Sequence, residues 1–230
     1  MTDGKPNKPT LSRRLVAEFL GTLFLLCIIV GSEIMGERLS AGNTAVALLA
    51  NSLATGFGLT VLILSFGKIS GAHFNPIVSA IDCVEGILTK KDSVLYAIVQ
   101  LLGAVAGVVL ANLMFGEPPM TFSNKDRTGS AQLLSEFIAT FGLIMTIKLV
   151  GKLQRNYIPL SVGAYIAAAY WFTSSTSFAN PNVTIARTLT STFAGIQPNG
   201  IFGFIAAQLL AAVVATKLFN WLLKDRELSE

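Results

Sequence analysis

The sequence predicts an all-α membrane protein with six transmembrane helices and two re-entrant half-helices, built as an inverted internal repeat. Three observations lead there. Of 230 residues, 52% are hydrophobic and 13% charged, with a mean hydropathy of +0.63, too apolar for a soluble domain of this size to cover its surface. The two halves of the chain resemble each other. An Asn-Pro pair also recurs at the matched place in each half, ahead of an apolar run too short to span a bilayer.

Six runs come near the ~20 residues that a helix needs to cross ~30 Å of hydrocarbon: residues 15–34, 44–66, 93–115, 131–150, 158–175 and 201–223. The first has no small-residue cleavage site and is expected to stay as the first helix. With both termini cytoplasmic, thirteen lysines and arginines lie on that side, against Arg38, Lys125, Arg127 and Arg187 on the other. The expected placement is therefore a multi-pass protein of the plasma membrane (the inner membrane in a bacterium), with cytoplasmic tails at 1–14 and 224–230. The +4 net charge reflects this orientation bias and gives no support to a nucleic-acid partner. Cys27 and Cys83 have neither the spacing of a metal site nor that of a disulfide framework. His73 is the only histidine, which excludes a histidine cluster within one chain. No metal or cofactor is expected. An enzyme is disfavoured too, since no nucleophile has a base nearby and no phosphate loop is present.

The repeat shows in three matches in the same order. "AEFLGTLF" at 17–24 resembles "SEFIATFG" at 135–142, pairing Glu18 with Glu136. "HFNPIVSAID" at 73–82 resembles "FANPNVTIAR" at 178–187, pairing Asn75 with Asn180. "QLLGAVAGVVLANL" at 100–113 resembles "QLLAAVVATKLFNW" at 208–221. Repeat one thus runs from about 15 to 115 and repeat two from about 130 to 223, joined by the loop 116–129. Three spans per half is an odd number, so the halves enter the bilayer in opposite senses and build their shared site near its midplane.

Residues 77–88 and 182–195 are too short to cross. Each follows a proline, favoured in a first helical turn because its missing N–H has no helical partner there. They are expected to be half-helices whose amino ends meet from opposite sides. Irregular backbone at that depth needs burial in protein or a water-filled path. The positive ends of two helix dipoles would oppose the passage of cations. Asn75 and Asn180 would cap these ends through their side-chain oxygens and present NH₂ donors to the path.

"AEFLGT", "SGAHFNP" and "FANPNVTIAR" resemble the aquaporin and aquaglyceroporin superfamily, and the resemblance covers nearly the whole chain. It implies a passive channel for water or small solutes in the lipid bilayer, usually a homotetramer with one pore per subunit. It also implies that Glu18 and Glu136 hydrogen-bond the backbone of the half-helix loops. The rival for two symmetric intramembrane carboxylates is ion coupling in a secondary transporter. A membrane scaffold with a vestigial pore is a further alternative.

The chain departs from the family at both motifs. The third residue, usually alanine, is Ile77 after Asn75-Pro76 and Asn182 after Asn180-Pro181. Ile77 adds bulk at the tip, and Asn182 adds either an amide near the pore or a change absorbed by repacking. The filter arginine's place is taken by Val183, and gapless counting puts the other filter positions at Thr55, Ala168 and Ser177. Such an uncharged, wide filter would admit glycerol, urea or neutral metalloid acids, with small anions as the alternative. Arg187 lies one turn beyond Val183 and either faces the outer vestibule as a ligand or pairs with loop carbonyls. Asp82 is its counterpart in the first half, as a loop cap or a cation-attracting exit. Tyr170, Trp171 and Phe172 read as an interfacial aromatic belt. Gly103, Ala104, Gly107 and Ala111 form a stripe suited to close helix crossing.

Overall fold

The computed structural model describes residues 9–224, in which every regular element is helical. In chain order these are α1 (Leu11–Leu39), α2 (Thr44–Ser70), α3 (Pro76–Val84), α4 (Lys90–Met114), α5 (Ser130–Leu153), α6 (Ile158–Phe172), α7 (Pro181–Ala186) and α8 (Ile201–Leu223). Five of them are long and apolar enough to cross a membrane. The sixth span, α6, has only 15 helical residues and is lengthened by a 3₁₀ turn at Arg155–Tyr157. The outer parts of both expected tails, 1–8 and 225–230, lie outside the described residues. Leu11 to Arg14, expected in the first tail, already belong to α1, and Arg14 pairs with Asp92 of α4 at 2.9 Å.

The helix starts follow capping chemistry. Asn43 accepts from the Ala45 and Val46 amides, and Thr89 accepts from that of Asp92, satisfying N–H groups that a first turn leaves without partners. Within each half the packing repeats: α1 lies against α4 and α2, α5 lies against α8 and α6, and α2 meets α6 across the halves. Close crossing explains the small-residue stripe. A side chain at Gly103 or Gly107 would run into the α1 backbone at Phe19 and Leu23. Large apolar side chains such as Phe57, Leu102 and Leu209 remain exposed on the outer face, as a lipid-facing surface requires.

Both half-helices are shorter than their apolar runs. The first ends at Val84, where the chain turns through Gly86 at φ 76°. The second has one α-turn, Pro181–Ala186, then a 3₁₀ turn, Arg187–Leu189. The residues beyond fold back as a loop, and the Ile196 amide returns to donate to the Arg187 carbonyl. Periodicity and hydropathy do not register this stop. Tertiary hydrogen bonds from elsewhere in the chain make it.

Candidate functional site

The site is built from two loops, 71–75 and 176–180, that enter the bundle from opposite ends. Their backbones are strained in a repeated pattern. Ala72, Phe74, Thr176, Ser177 and Ala179 all have φ between 48° and 62°, a region that costs a non-glycine residue of order 1–3 kcal/mol. A buried carboxylate holds each loop. Glu18 Oε1 accepts from the Ser70 hydroxyl at 2.5 Å and the His73 amide at 3.0 Å. Its Oε2 accepts from the Phe74 amide at 2.8 Å and from Gln100 Nε2 at 2.8 Å. Glu136 repeats this with the Ser175 hydroxyl at 2.6 Å, the Phe178 and Ala179 amides at 2.9 and 3.0 Å, and Gln208 Nε2 at 2.7 Å. Both carboxylates are fully buried. Buried amides in irregular backbone need such acceptors, and charge-assisted ones are the strongest available.

Sequence reasoning missed Ser70, Ser175 and the Ser79–Thr184 pair. Gln100 Nε2 also donates to Ser79 Oγ at 3.1 Å, and Gln208 Nε2 to Thr184 Oγ1 at 3.0 Å. The signal was present, since Ser70 and Ser175 share the 105-residue offset of the Asn-Pro pairs, and the two glutamines open the third repeated segment.

The two amino tips meet. Asn75 Oδ1 caps its half-helix at the Ile77 amide, 3.0 Å, while its Nδ2 donates across to the Ala179 carbonyl at 2.8 Å. Asn180 caps the Asn182 and Val183 amides at 3.0 and 3.4 Å, and its Nδ2 donates to the Phe74 carbonyl at 2.8 Å. Each tip therefore fixes the other.

A cavity of about 880 Å³ runs from Lys68, Arg155 and Asn156, toward the end of the bundle that carries the termini, past both asparagines to Thr55, Tyr170 and Arg187. Leu25, Ile29, Leu59 and Ile63 of the first half, with Leu143, Ile147, Val162 and Ile166 of the second, give it an apolar wall. The loops give it a polar side. Thr55, Ser177, Val183 and Arg187 all line it, as do Asn75 and Asn180.

Several expectations need correction. Ala168 is exposed on the outer face of α6 and does not touch the cavity. The α6 residues that do are Ile166 and Tyr170, because a helix presents residues three to four apart on one face and gapless counting landed between them. Tyr170 is thus not part of an interfacial belt. It is 2% exposed, with its hydroxyl 3.4 Å from Thr55 Oγ1, while Trp171 and Phe172 alone face outward. Ile77 and Asn182 do not line the cavity either. Ile77 packs among Ile144, Ala212, Ala215 and Phe219, and Asn182 Nδ2 donates to the Ala97 carbonyl of α4 at 3.3 Å. Pro76 and Pro181 sit behind the tips as first-turn residues.

The mouths are related but not alike. At the terminal end His73 Nε2 lies 3.0 Å from Asp82 Oδ2, and its Nδ1 lies 3.0 Å from Ser79 Oγ. At the opposite end the matched residues are Phe178 and Arg187, and the guanidinium lies 3.7 Å from the ring centroid. Arg187 is 2% exposed and Nε donates to the Ala194 carbonyl. It therefore lines the cavity and binds the loop at once, two placements that the sequence presented as alternatives. Arg127, from the loop 116–129, was not singled out from sequence. It reaches in to donate to the Gly195, Ser175 and Phe193 carbonyls at 2.9, 3.1 and 2.9 Å. Burial, and then the neighbouring Arg187 charge, pull Arg127 down to about 10, which leaves it cationic at neutral pH.

A bundle of membrane-spanning helices closed round two half-helices, with a cavity running past both tips, is the architecture of a membrane channel. Residues 5–177 match the sequence pattern of the major intrinsic protein family, up to the threshold of the second Asn-Pro pair. The chain is 52% identical to the aquaglyceroporin AqpS of Rhizobium meliloti (strain 1021), over 93% of this chain and 91% of that one. It is 28% identical to aquaporin-2 of Ovis aries, over 92% and 79%. The aquaglyceroporin structure from Plasmodium falciparum superposes with a TM-score of 0.69 at 22% identity, covering 94% of this chain and 96% of that one. The chain belongs to the major intrinsic protein family, and it is a channel rather than an enzyme.

Proposed function

We propose that the protein conducts small uncharged solutes, of the glycerol, urea and neutral metalloid acid class, together with water. The lining of the cavity carries this reading. A polyol lays its carbon chain against the Leu25–Ile29 and Leu143–Ile147 walls and exchanges hydroxyl bonds with Asn75, Asn180 and Ser177 on the other side. Ser177 Oγ, buried and without a hydrogen-bond partner among the described residues, is an open hydrogen-bonding position along that path. Val183 stands where a charged residue would otherwise narrow the way, and Thr55, Tyr170, Ser177 and Val183 form the selecting ring. We take the termini as cytoplasmic from the positive-inside bias, the membrane as the cell's plasma membrane, and the assembly as a homotetramer. An ion-coupled carrier is disfavoured, because Glu18 and Glu136 each have both oxygens occupied by two donors and neither lines the cavity.

Stopped-flow light scattering on proteoliposomes, comparing water, glycerol, urea and arsenous acid, tests the reading. Flux of the larger neutral solutes is expected. Water flux with every larger solute excluded would refute it. A second reading, passage of small anions, is favoured by Arg187 at the cavity wall. If it is right, Arg187→Leu abolishes nitrate flux while glycerol flux persists.

A further inference from the structure

One buried acid has no part in the architecture above. Glu33 lies on α1 toward the end remote from the termini and is 1% exposed. Oε2 accepts from Thr192 Oγ1 at 3.3 Å, whereas Oε1 is buried with no hydrogen-bond partner among the described side chains. It does not line the cavity. Excluding a carboxylate from water costs several kcal/mol and one neutral hydroxyl at that distance returns little of it, so a charged Glu33 depends on nearby cations.

The loop that Glu33 touches is the one that holds Arg187. Thr192 sits in the segment 190–196, which Thr190 Oγ1 ties to Asn112 Oδ1 at 3.1 Å. Two residues further, the Ala194 carbonyl takes the Arg187 Nε–H. The guanidiniums of Arg187 and Arg127 are buried cations whose fields reach the Glu33 carboxylate, and the partly exposed Lys125 ammonium interacts with it too. Neither arginine has an acidic partner within ion-pair distance among the described residues. The mouth thus contains two buried cations and one buried anion held apart by loop backbone.

We propose that Glu33 is the positioning residue of the Arg187 mouth. It pins the 190–196 loop through Thr192 and sets its negative charge behind the guanidinium. Arg187 then stays seated over Phe178 without making the mouth a trap for anions. The inference rests on the solute-channel reading and says how that channel keeps a cavity-lining guanidinium compatible with neutral selectivity.

Glu33→Gln keeps the volume and the Thr192 contact and removes only the charge. In proteoliposomes it is expected to raise the nitrate-to-glycerol permeability ratio about tenfold, the low end of what a focused surface charge does to local counter-ion concentration. The effect should vanish in an Arg187→Gln background, a result that a merely structural role does not produce. An unchanged ratio in Glu33→Gln, or an equal rise with and without Arg187, overturns the proposal. Absence of all solute flux from wild-type liposomes would sink the channel reading instead. In that event the melting temperatures of Glu33→Gln, Arg187→Gln and the double variant in detergent decide the matter. Strictly additive shifts overturn the coupling, and a double variant more stable than the sum supports it.

Discussion

Glu136 should be the costliest side chain to remove from the second half. Glu136→Ala withdraws the acceptor from the buried Phe178 and Ala179 amides, in a loop whose Thr176, Ser177 and Ala179 are left-handed. Each buried N–H left alone costs about 1–3 kcal/mol. The Ser175 hydroxyl loses its acceptor as well, and Gln208 Nε2 keeps only Thr184, while its Oε1 already has no partner among the described residues. The sum is about 3–6 kcal/mol. At roughly 2–4 °C per kcal/mol for a chain of this size, melting in detergent should fall by about 6–24 °C. Because the same two amides fix the loop that presents the Ala179 carbonyl to Asn75, solute flux per folded molecule should fall too. Glu117→Ala is the control. Its bond to Arg38 is solvent-exposed and contributes about 1 kcal/mol at most. If Glu136→Ala melts within ~2 °C of wild type and conducts normally, the carboxylate is not what holds the loop.

Arg127→Leu strips three buried carbonyls of their donor and should cost about 3 kcal/mol or more, seen as a lower melting temperature and faster proteolysis at residues 190–196. Tyr170→Ala removes a ring from the mouth opposite Thr55. It should raise the flux of four- and five-carbon polyols relative to glycerol, and an unchanged ratio in the same liposome assay would show that Tyr170 does not select. Asn182→Ala should leave every solute ratio unaltered, at a cost of about 1 kcal/mol for its bond to Ala97.

What the sequence made legible followed from repetition. Span count, inverted halves, tips and glutamates could all be read because a duplicated pattern tests itself. Asn75 alone is a turn, but Asn75 with Asn180 is a site. What stayed hidden came from residues with no counterpart. Arg127 sits in the connecting loop, outside both repeats, and its three acceptors come from segments more than 45 positions away. Glu33 lies in the first apolar run with nothing to mark what it touches. The α6 position failed for a different reason. Gapless counting carries no information on rotation, and a two-residue error turns a helix by about 200°, enough to exchange Tyr170 for a lipid-facing alanine.

The same repetition shows where the two ends of the channel diverge. Wall positions match closely, with Leu25 against Leu143 and Val78 against Val183, whereas mouth positions do not. Asp82 and His73 stand at one end where Arg187 and Phe178 stand at the other. For an uncharged solute this asymmetry cannot favour one direction, because a passive pore carries equal flux both ways at equal concentrations, whatever lines its ends. For a charged solute the mouths differ, since Arg187 gathers anions on one side and Asp82 gathers cations on the other. The half-helix dipoles between them repel cations from either side. Cations drawn to Asp82 should therefore stop there, and anions drawn to Arg187 meet a barrier only in the Glu33 field and the apolar wall. Any charged leak in this protein should then be anionic, should respond to residues 33 and 187, and should be insensitive to Asp82→Asn.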